Sequence, residues 1–437
     1  MLDQASNSDV VGPEESLTSR QGRADDDASD FDRQNGSQRG NSTLSKGSGP
    51  KTLVTIGHSY CVALNRRLAH EMARVGRGRW AVTVVAPSLF QGDLGPIALQ
   101  PFSGEACSLE PVPVHFKRSL HLFLYGARLK KILRFPWDVV HCWEEPYVFA
   151  GAQIAWLKDP RSAFVFWSYQ NISKRYPPPF SQLEQFCLKR CDGWISSGIS
   201  VERTLASASR GYASKPHRTL PLGVDVDVFR PDPESRRLVR ESLGWSHLKT
   251  PVVGFLGRFV EEKGLRLLTR TLDSVPSWRA LLIGGGPLEA HLRRWADCYG
   301  ERVKIITGVE HAEVPNYLNA MDVLCAPSQT TAAWREQFGR MLIEAFACGI
   351  PVIASDSGEI PHVVGDAALV VGEKDESGWR TALGSMINNA ALRAEFGVRG
   401  LERAKSTYAW PIVAQRHLAF FDELLEARRD RGKAVPQ

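Results

Sequence analysis

The chain is organised around residues 336–357, which read EQFGRMLIEAFACGIPVIASDS. A polar loop leads into an apolar run at 342–346, and this pattern predicts a short helix. Gly349 follows the run at the place where a helix end favours a residue with positive φ. The apolar residues 350–354 then predict a buried strand with Pro351 near its start.

Two carboxylates frame the predicted helix, with seven residues between them. Glu336 lies in the preceding loop, and Glu344 lies about one turn inside the helix and leans back toward its N-terminus. A helix N-terminus suits a phosphate, whereas carboxylates accept hydrogen bonds from hydroxyls such as a sugar diol. Phosphate beside two diol receptors describes a nucleotide sugar. A helix-capping pair with one exposed acid is the alternative interpretation.

Two glycine-containing turns in the same half of the chain also suit a nucleotide. The first is residues 257–264, with Arg258 and Lys263 between glycines. An arginine fork and a lysine point charge can together hold a diphosphate, although an ordinary surface pair is the alternative. The second is residues 284–287, Gly-Gly-Gly-Pro. It is a weak dinucleotide fingerprint, because Glu289 stands where the third glycine is required.

These motifs, together with Pro221 and residues 223–225, resemble those of the retaining family 4 glycosyltransferases of GT-B architecture. The resemblance extends over residues 51–425 and is strongest in the second half. It implies an α/β fold with two Rossmann-like parallel-sheet domains that face each other across a cleft. It also implies a C-terminal helix that crosses back to the first domain.

The resemblance assigns roles to the residues of the motifs. In that family the first glutamate holds hydroxyls of the donor sugar and the second holds the ribose, which implies these roles for Glu336 and Glu344. Arg258 and Lys263 would neutralise the diphosphate as it leaves, with Glu336 as the third catalytic residue. Donor contacts are implied at five further positions: Gly57, Gly257, Gly286, Phe338 and Gly339.

Composition and pattern divide the chain into five parts. Residues 1–50 are polar and almost free of apolar side chains, which predicts a disordered tail. Residues 51–222 are predicted to form an acceptor-side Rossmann-like domain, and 223–249 a linker. Residues 250–407 are predicted to form the nucleotide-sugar-binding domain, and 408–437 the crossover helix and a tail.

Polar residues at the ends of the first-half strands form the predicted acceptor side. The strand at 53–56 ends in Gly57, where the family usually has a glycine-rich turn near the diphosphate. Many family members place a histidine at the end of the strand at 163–167, and this chain has none there. His141, at a neighbouring strand end, is open to a structural or an acceptor-side role. The same two roles are open for His58. The acceptor-side candidates are His58, Glu145, Gln170, Asn171 and Lys174.

The net charge of +6 is unevenly distributed. Residues 1–50 hold nine Asp or Glu and five Lys or Arg, a balance of −4, which leaves +10 for the rest. A basic body suits anionic partners such as nucleoside diphosphates or an acidic membrane surface. We expect no nucleic-acid partner, because no corresponding signature is present. The eight cysteines are scattered and form no zinc pattern, so no metal is predicted.

Residues 114–135 combine large apolar side chains with six Lys or Arg and no acid. This composition suits a helix that lies on an anionic membrane, and a core helix with a basic exposed face is the alternative. No apolar run reaches the length of a membrane span, and the N-terminus has no basic region followed by an apolar one. We therefore expect a cytoplasmic protein, with peripheral contact at the inner face of the cell membrane as a further hypothesis.

The expected activity is transfer of a sugar from a UDP-, GDP- or ADP-sugar to a hydroxyl of a glycan or lipid-linked acceptor. The resemblance implies retention of configuration without a metal or other cofactor. An epimerase on the same scaffold would instead convert the nucleotide sugar without an acceptor. A non-catalytic component of a polysaccharide assembly complex would bind the nucleotide sugar without turnover. The incomplete glycine fingerprint disfavours a dehydrogenase.

Overall fold

The structure is a computed structural model that describes residues 49–92, 95–246 and 249–433. The predicted disordered tail lies outside the described residues, except for Gly49 and Pro50. Residues 434–437, the last part of the predicted C-terminal tail, also lie outside them.

The first half of the described chain is built on a parallel sheet rich in buried Val, Ile, Phe and Trp, as expected for a sheet covered on both faces. Its strands, with those of two small ribbons, are β1 (Lys51–Ile56), β2 (Trp80–Pro87), β3 (Leu89–Gly92), β4 (Gly95–Ala98), β5 (Ser108–Val112), β6 (Val114–His115), β7 (Leu124–Tyr125), β8 (Val139–Cys142), β9 (Ala163–Ser168), β10 (Gly193–Ser196) and β11 (His217–Thr219). The main sheet has the order β11-β10-β9-β8-β1-β2-β5, and all of its pairs are parallel.

Helices connect these strands, as right-handed crossovers require in a parallel sheet. They are α1 (Arg67–Val75), α2 (Arg128–Leu133), α3 (Phe149–Leu157), α4 (Phe180–Arg190), α5 (Ile199–Ala208) and α6 (Arg210–Ala213). Short 3₁₀ helices at His58–Cys61 and Ala63–Arg66 follow β1 directly. The turn after β1 therefore leads into α1 through residues that lie close to the sheet edge.

The second half repeats the parallel α/β arrangement. Its strands are β12 (Val252–Leu256), β13 (Arg279–Ile283), β14 (Val303–Ile306), β15 (Val323–Ala326), β16 (Val352–Ser355) and β17 (Leu369–Val371), and their order is β14-β13-β12-β15-β16-β17. The helices of this half are α7 (Pro233–Ser242), α8 (Leu265–Asp273), α9 (Glu289–Asp297), α10 (Val314–Asn319), α11 (Arg340–Ala347), α12 (Ile360–Val364), α13 (Glu376–Asn388), α14 (Ala390–Arg403) and α15 (Trp410–Lys433). Single turns of 3₁₀ helix occur at Glu261–Lys263 and Gly300–Arg302, and a π-helical turn at Ala404–Tyr408.

The central stretch of the sequence folds as its pattern predicts. The apolar run becomes α11, Gly349 has φ +70°, and the following strand is β16. Every side chain of α11 from Met341 to Ala347 is buried, so this helix lies inside the second domain. The boundaries predicted at 222 and 250 stay predictions, with the first sheet ending at Thr219 and the second beginning at Val252.

The chain crosses between the two sheets twice, and the crossings lie side by side. Val224 on the outward crossing forms a parallel bridge with Ala409 on the return, through Val224 N–H to the Tyr408 carbonyl at 2.7 Å. Helix α15 then packs against α1 and β9 of the first half. An ion pair from Arg428 to Asp192, at 2.6 Å, fixes its far end. The expected C-terminal helix that returns to the first domain is thus present.

The prediction of a single helix over residues 114–135 is wrong. This segment instead forms the antiparallel pair β6 and β7, followed by the six-residue α2. Phe123 and Tyr125 are buried, because the register of the strand pair rather than a helical period decides which side chains face the core. Helix α2 buries Leu129 and Leu133 and exposes its lysines, which agrees with a core helix that has a basic outer face.

Two fully buried histidines meet where α15 crosses the first sheet. His417 of α15 and His141 of β8 have ring centroids 6.2 Å apart. Burial lowers the pKa of His417 to about 4 and lowers the pKa of His141 well below its usual value. His417 Nδ1 donates to the Val413 carbonyl at 2.8 Å, and within the described residues neither Nε2 atom has a hydrogen-bond partner. Both rings are therefore held neutral, which gives His141 a structural role.

We predict that this pair makes the protein sensitive to acid. The folded state binds fewer protons than the unfolded state between pH 6.5 and pH 4, so stability is lost as pH falls through this range. His417 alone can lower the free energy of unfolding by at most about 3 kcal/mol over this pH range. His417→Phe should flatten the dependence of the free energy of unfolding on pH, measured with urea at pH 7, 6 and 5. His115→Phe, at an exposed histidine, is the control, and an unchanged slope in His417→Phe would contradict the prediction.

Candidate active site

The cleft between the two sheets joins the carboxyl ends of strands from both halves, which is where parallel α/β sheets bind ligands. The first half contributes the turn after β1 and the segments after β8 and β9. The second half contributes the turn after β12, the segment after β15 and the start of α11. Three cavities in the described part of the chain are lined from both halves.

Glu336 lies at the centre of this junction and is held from several sides. Its carboxylate accepts hydrogen bonds from Lys263 Nζ at 2.5 Å and from Ser328 Oγ at 2.9 Å. Its backbone carbonyl accepts one from Asn171 Nδ2, in the first half, at 3.0 Å and one from Glu359 N–H at 3.0 Å. The side chain is nearly buried, and a buried carboxylate requires such partners to compensate for lost hydration.

A glycine makes the close approach at Glu336 possible. Gly358 has φ +57°, and a Cβ atom there would lie 2.1 Å from the Glu336 carbonyl oxygen. Any other residue would push the start of α12 away from the Glu336 backbone. The segment of residues 355–358 is therefore built to hold Glu336 in place.

The predicted cationic pair is only partly assembled. Lys263 contacts Glu336, and its ammonium also lies 5.1 Å from the centre of the Trp334 ring, an arrangement that favours a cation. Arg258 is exposed, and it forms no hydrogen bond or ion pair with any residue that the structure describes. The structure thus brings Lys263 to Glu336 and leaves the Arg258 guanidinium uncompensated at the surface of the same turn.

Glu344 lies about one turn inside α11, as the sequence pattern predicts. Its carboxylate contacts His311 Nε2 at 3.0 Å and is almost fully buried. Both residues line a cavity of about 360 Å³ between the halves, together with Arg340, Phe229 and Leu64. The cavity is large enough for a nucleoside-sized group beside a carboxylate that can accept two hydroxyls.

The glycines assigned to donor binding occupy turns at the cleft. Three of them have positive φ, which only glycine adopts without strain: Gly257 at +149°, Gly286 at +147° and Gly339 at +80°. Gly57 is extended, and a Cβ atom there would lie 2.9 Å from Trp143 Cβ. Phe338 differs from its assignment, because its side chain is buried and packs against Tyr408 rather than facing the cleft.

The acceptor-side candidates fall around two adjoining cavities. The larger, of about 450 Å³, is called here the acceptor cavity, and it is lined by His58, Asn65, His121, Trp143, Glu144, Glu145, Tyr169, Gln337 and Arg340, with Leu120 at its edge. The smaller, of about 100 Å³, shares Glu145, Tyr169 and Gln337 with it and adds Gln170, Asn171, Lys174 and Trp334. Residues of both halves line both cavities, so an acceptor bound here would lie beside the Glu336 segment.

Two of the acceptor-side candidates, Asn171 and Gln170, form hydrogen bonds with other residues of the protein. The Asn171 amide donates to the Glu336 carbonyl and so positions Glu336, and its acceptor-side role stays a prediction. Gln170 is nearly buried and accepts a hydrogen bond from Tyr176 Oη at 3.3 Å. Lys174 is exposed at the rim of the smaller cavity. These three candidates and Glu145 all line the smaller cavity, and their acceptor-side roles stay predictions.

The Glu145 carboxyl has a pKa well above its ordinary value. Burial raises the pKa of Glu145 to about 7, against the lowering effect of hydrogen bonds from Tyr169 N–H at 2.8 Å and Ser168 Oγ at 2.7 Å. Groups with pKa values this far from their usual range are concentrated at functional sites. Glu145 lines both acceptor-side cavities, which places this carboxyl where an acceptor hydroxyl would meet it.

Several residues at the site were not predicted. Glu144, Ser328, Arg340 and His311 contact predicted residues or line the cavities. Each follows a strand or begins a helix in the sequence, which is the one signal that could have found them. Within residues 49–92, 95–246 and 249–433, no three His, Cys, Asp or Glu side chains converge as metal ligands would. The absence of a catalytic metal stays a prediction.

A second contact joins the two halves next to Glu336. The Glu359 carboxylate accepts hydrogen bonds from Ile199 N–H and Ser200 N–H, both at 2.7 Å, at the start of α5. The free N–H groups and dipole of a helix N-terminus favour such an anion. A Cβ atom at Gly198 would lie 2.3 Å from Glu359 Cδ, so glycine is required there for this approach.

Comparison with known families and relatives supports the resemblance seen in the sequence. Residues 240–403 match the family described as glycosyl transferases group 1. A GDP-mannose-dependent alpha-(1-6)-phosphatidylinositol monomannoside mannosyltransferase of Mycolicibacterium smegmatis is 35% identical over 52% of this chain and 60% of its own length. A D-inositol 3-phosphate glycosyltransferase of Corynebacterium jeikeium is 28% identical over 69% of this chain and 72% of its own length. The chain thus spans about three fifths of the mannosyltransferase.

A solved structure shows the same fold. The crystal structure of Anabaena HepE in complex with UDP and glucose has a TM-score of 0.64 and 16% identity, and the match covers 85% of this chain and 100% of that chain. The predicted GT-B architecture of two parallel-sheet domains is confirmed by this likeness. No helix among the residues that the structure describes is long and apolar enough to cross a membrane.

We predict that the Glu359 contact contributes measurably to stability. Glu359→Gln replaces one carboxylate oxygen with an NH2 group, which cannot accept from a backbone N–H, and the free energy of unfolding by urea should fall by about 2 kcal/mol. Gly198→Ala should act in the same direction through the steric clash. Glu402→Gln, at an exposed glutamate of α14, is the matched control. Equal stability of Glu359→Gln and Glu402→Gln would show that the contact is dispensable.

Proposed function

We propose that this chain, whose second half carries a glycosyl transferases group 1 domain on a GT-B fold, transfers a sugar from a nucleoside-diphosphate sugar to an acceptor hydroxyl with retention of configuration. The observation that carries the proposal is the buried Lys263–Glu336 pair at the junction of the two halves. Gln337, which follows Glu336 in the chain, lines the acceptor cavity, and Arg340 and Glu344 of the helix that begins after it line the cavity of about 360 Å³.

Donor binding would exchange the partners of this pair. In the structure the Lys263 ammonium and the Glu336 carboxylate compensate each other's charge. A nucleotide sugar supplies a diphosphate for Lys263 and hydroxyls for Glu336, so each group keeps a partner while the donor is held. Arg258 forms no ion pair among the described residues and lies on the same turn as Lys263. Its guanidinium could therefore donate further hydrogen bonds to the diphosphate.

Charge develops on the diphosphate as the glycosidic bond breaks. Lys263 and Arg258 would stabilise that charge, a role that a metal ion fills in other enzymes. Glu336 would hold the sugar so that the acceptor hydroxyl attacks from the face that the diphosphate leaves, which retains the anomeric configuration. Glu344 would hold the ribose, and His311 would give up its contact with Glu344 when the nucleotide enters.

The names of the relatives suggest which donor and acceptor to test first. The mannosyltransferase relative is named for GDP-mannose and a phosphatidylinositol mannoside, and the HepE structure contains UDP and glucose. We therefore propose GDP-mannose as the first donor to test, within a panel of UDP-, GDP- and ADP-sugars. A phosphatidylinositol mannoside is the first acceptor to test, beside a glycan acceptor.

The acceptor cavity opens onto a surface that suits a lipid-linked acceptor. Leu120 lines the cavity, and Phe116, Leu120 and Leu122 expose 72%, 49% and 47% of their surface. Lys117 and Arg118 lie between them in the sequence. We call residues 116–122 the apolar-basic loop. Apolar side chains beside cations fit an anionic membrane surface, which would let a lipid headgroup reach the cavity.

We predict that Lys263→Ala and Glu336→Gln each lower the rate of transfer by roughly 10²–10³, because each removes a preorganised contact to the donor. Lys304→Ala, which breaks a surface pair with Glu301, is the matched control. Initial rates are measured with radiolabelled donor, and folding is checked by circular dichroism. The assay is repeated in EDTA, where the wild type should keep its rate. Full activity of either site variant would defeat the assignment.

A separate prediction concerns the apolar-basic loop. Reversing Lys117 and Arg118 to Glu should weaken binding to vesicles of phosphatidylcholine and phosphatidylglycerol by at least about tenfold, since each cation near an anionic surface contributes ~1 kcal/mol. The matched control reverses Lys130 and Lys131 of α2, which lie outside this loop. Vesicle sedimentation measures both. Equal binding by the two double variants and the wild type would refute a membrane role for this loop.

A further inference from the structure

A buried carboxylate holds a histidine ring in the acceptor cavity. His58 follows β1, and its Nδ1 lies 2.6 Å from Glu144 Oε2. Glu144 Oε1 accepts two further hydrogen bonds, from the His58 backbone N–H at 2.5 Å and from Tyr125 Oη at 2.7 Å. The Glu144 side chain is 1% exposed, whereas that of His58 is 29% exposed. The carboxylate is thus internal and the imidazole reaches the cavity.

The arrangement fixes the tautomer of His58. Because the carboxylate accepts from Nδ1–H, the other ring nitrogen, Nε2, carries the lone pair when the ring is neutral. The ring is also held in place by aromatic neighbours, with centroids 5.0 Å from Phe90 and 5.6 Å from Phe123. An oriented imidazole whose second nitrogen is free to meet a ligand is the arrangement used in general base catalysis.

The cavity places this imidazole near the proposed donor site. Gln337 and Arg340 line the same cavity as His58, and Gln337 directly follows Glu336 in the chain. An acceptor hydroxyl in the cavity would therefore share this space with His58 and lie beside the segment that carries Glu336. Of the other histidines near the first-half strand ends, His141 is buried under Trp167 and α15 and does not line this cavity.

We propose that His58 Nε2 accepts the proton of the acceptor hydroxyl during transfer, with Glu144 as the positioning residue that holds Nδ1–H. The inference rests on the function proposed above. The acceptor O–H bond breaks and its proton moves to Nε2, while the acceptor oxygen forms a bond to the anomeric carbon. The bond from that carbon to the diphosphate oxygen breaks, and its electron pair leaves with the diphosphate. The imidazolium, stabilised by Glu144, then returns its proton to solvent.

The charges around the ring suit this role. Burial lowers the pKa of His58, but the Glu144 carboxylate raises it more and Glu145 adds to the rise, so the pKa ends above 6.5. Burial also raises the pKa of Tyr125, which keeps its hydroxyl a donor to Glu144. Arg340 and His121 line the cavity on its other walls. Transfer should therefore increase with pH through a value above 6.5, as the ring becomes neutral.

The test compares four variants with the wild type on the donor and acceptor pair found active in the panel above. His58→Gln should lower kcat by roughly 10²–10⁴ at saturating acceptor and leave the Kd for the donor unchanged. His217→Gln is the matched control, since the His217 side chain is 28% exposed and contacts a carboxylate, Glu202, at 3.4 Å, but lies outside the three cavities lined from both halves. It should keep the wild-type kcat.

The pH profile of kcat/KM separates a proton acceptor from a structural residue. Glu144→Gln should move the rising limb to lower pH, because the carboxylate no longer favours the imidazolium. Tyr125→Phe should move it to higher pH, because Glu144 loses a donor and becomes more basic. These shifts test the inference even if His58→Gln does not fold.

Three outcomes would overturn the inference. The first is wild-type kcat in His58→Gln. The second is a defect of His58→Gln confined to donor affinity. The third is a rising limb that stays at the same pH in both Glu144→Gln and Tyr125→Phe. Wild-type protein that shows no transfer across the whole panel would instead overturn the proposed function, and this inference with it.

Discussion

The structure depends on how the Glu336 segment is held where the two halves meet. Its carboxylate is bound by Lys263 and Ser328 of the second half, and its carbonyl is bound by Asn171 of the first half and by the backbone of Glu359. The backbone carbonyl of Glu336 thus joins the two halves, whereas its charge is compensated within the second half. Because a buried carboxylate without partners is costly, each of these contacts supports the others.

This constraint explains the arrangement of the site. The carboxylates of Glu336 and Glu344 are each compensated before any substrate binds, one by Lys263 and the other by His311. Both partners can move to let a ligand in, since a lysine has a long flexible side chain and the His311 ring is partly exposed. Each carboxylate can therefore exchange its protein partner for a ligand hydroxyl without being left unpaired.

The sequence predicts those parts of the site that local pattern determines. The helix α11, the glycine turns at Gly257 and Gly286 and the strand that precedes each turn follow from apolar periodicity and from the need for positive φ. The approach of Lys263 to Glu336 could also be expected, because a motif that binds a diphosphate and one that binds a sugar must share a ligand. The position of Arg258 could not be predicted in the same way, because nothing in the neighbouring sequence determines where its side chain points.

Tertiary contacts between distant segments account for what the sequence did not show. The Glu144–His58 pair joins residues 86 positions apart, and the contact of Asn171 with Glu336 joins residues 165 apart. The composition of residues 114–135 suits a helix, and only the pairing of β6 with β7 shows that part of this segment is extended. Phe338 lies within the donor motif, yet its side chain belongs to the core, a distinction that requires knowing where Tyr408 packs.

The most direct measurement is the distance between Lys263 Nζ and the Glu336 carboxylate in a crystal structure with an intact nucleotide sugar bound. The two groups are 2.5 Å apart in the structure described above. With the donor in place we expect the two groups to separate beyond hydrogen-bonding distance, Lys263 to contact the diphosphate and Glu336 to contact sugar hydroxyls. An intact pair, with the nucleotide sugar bound away from both residues, would contradict the account.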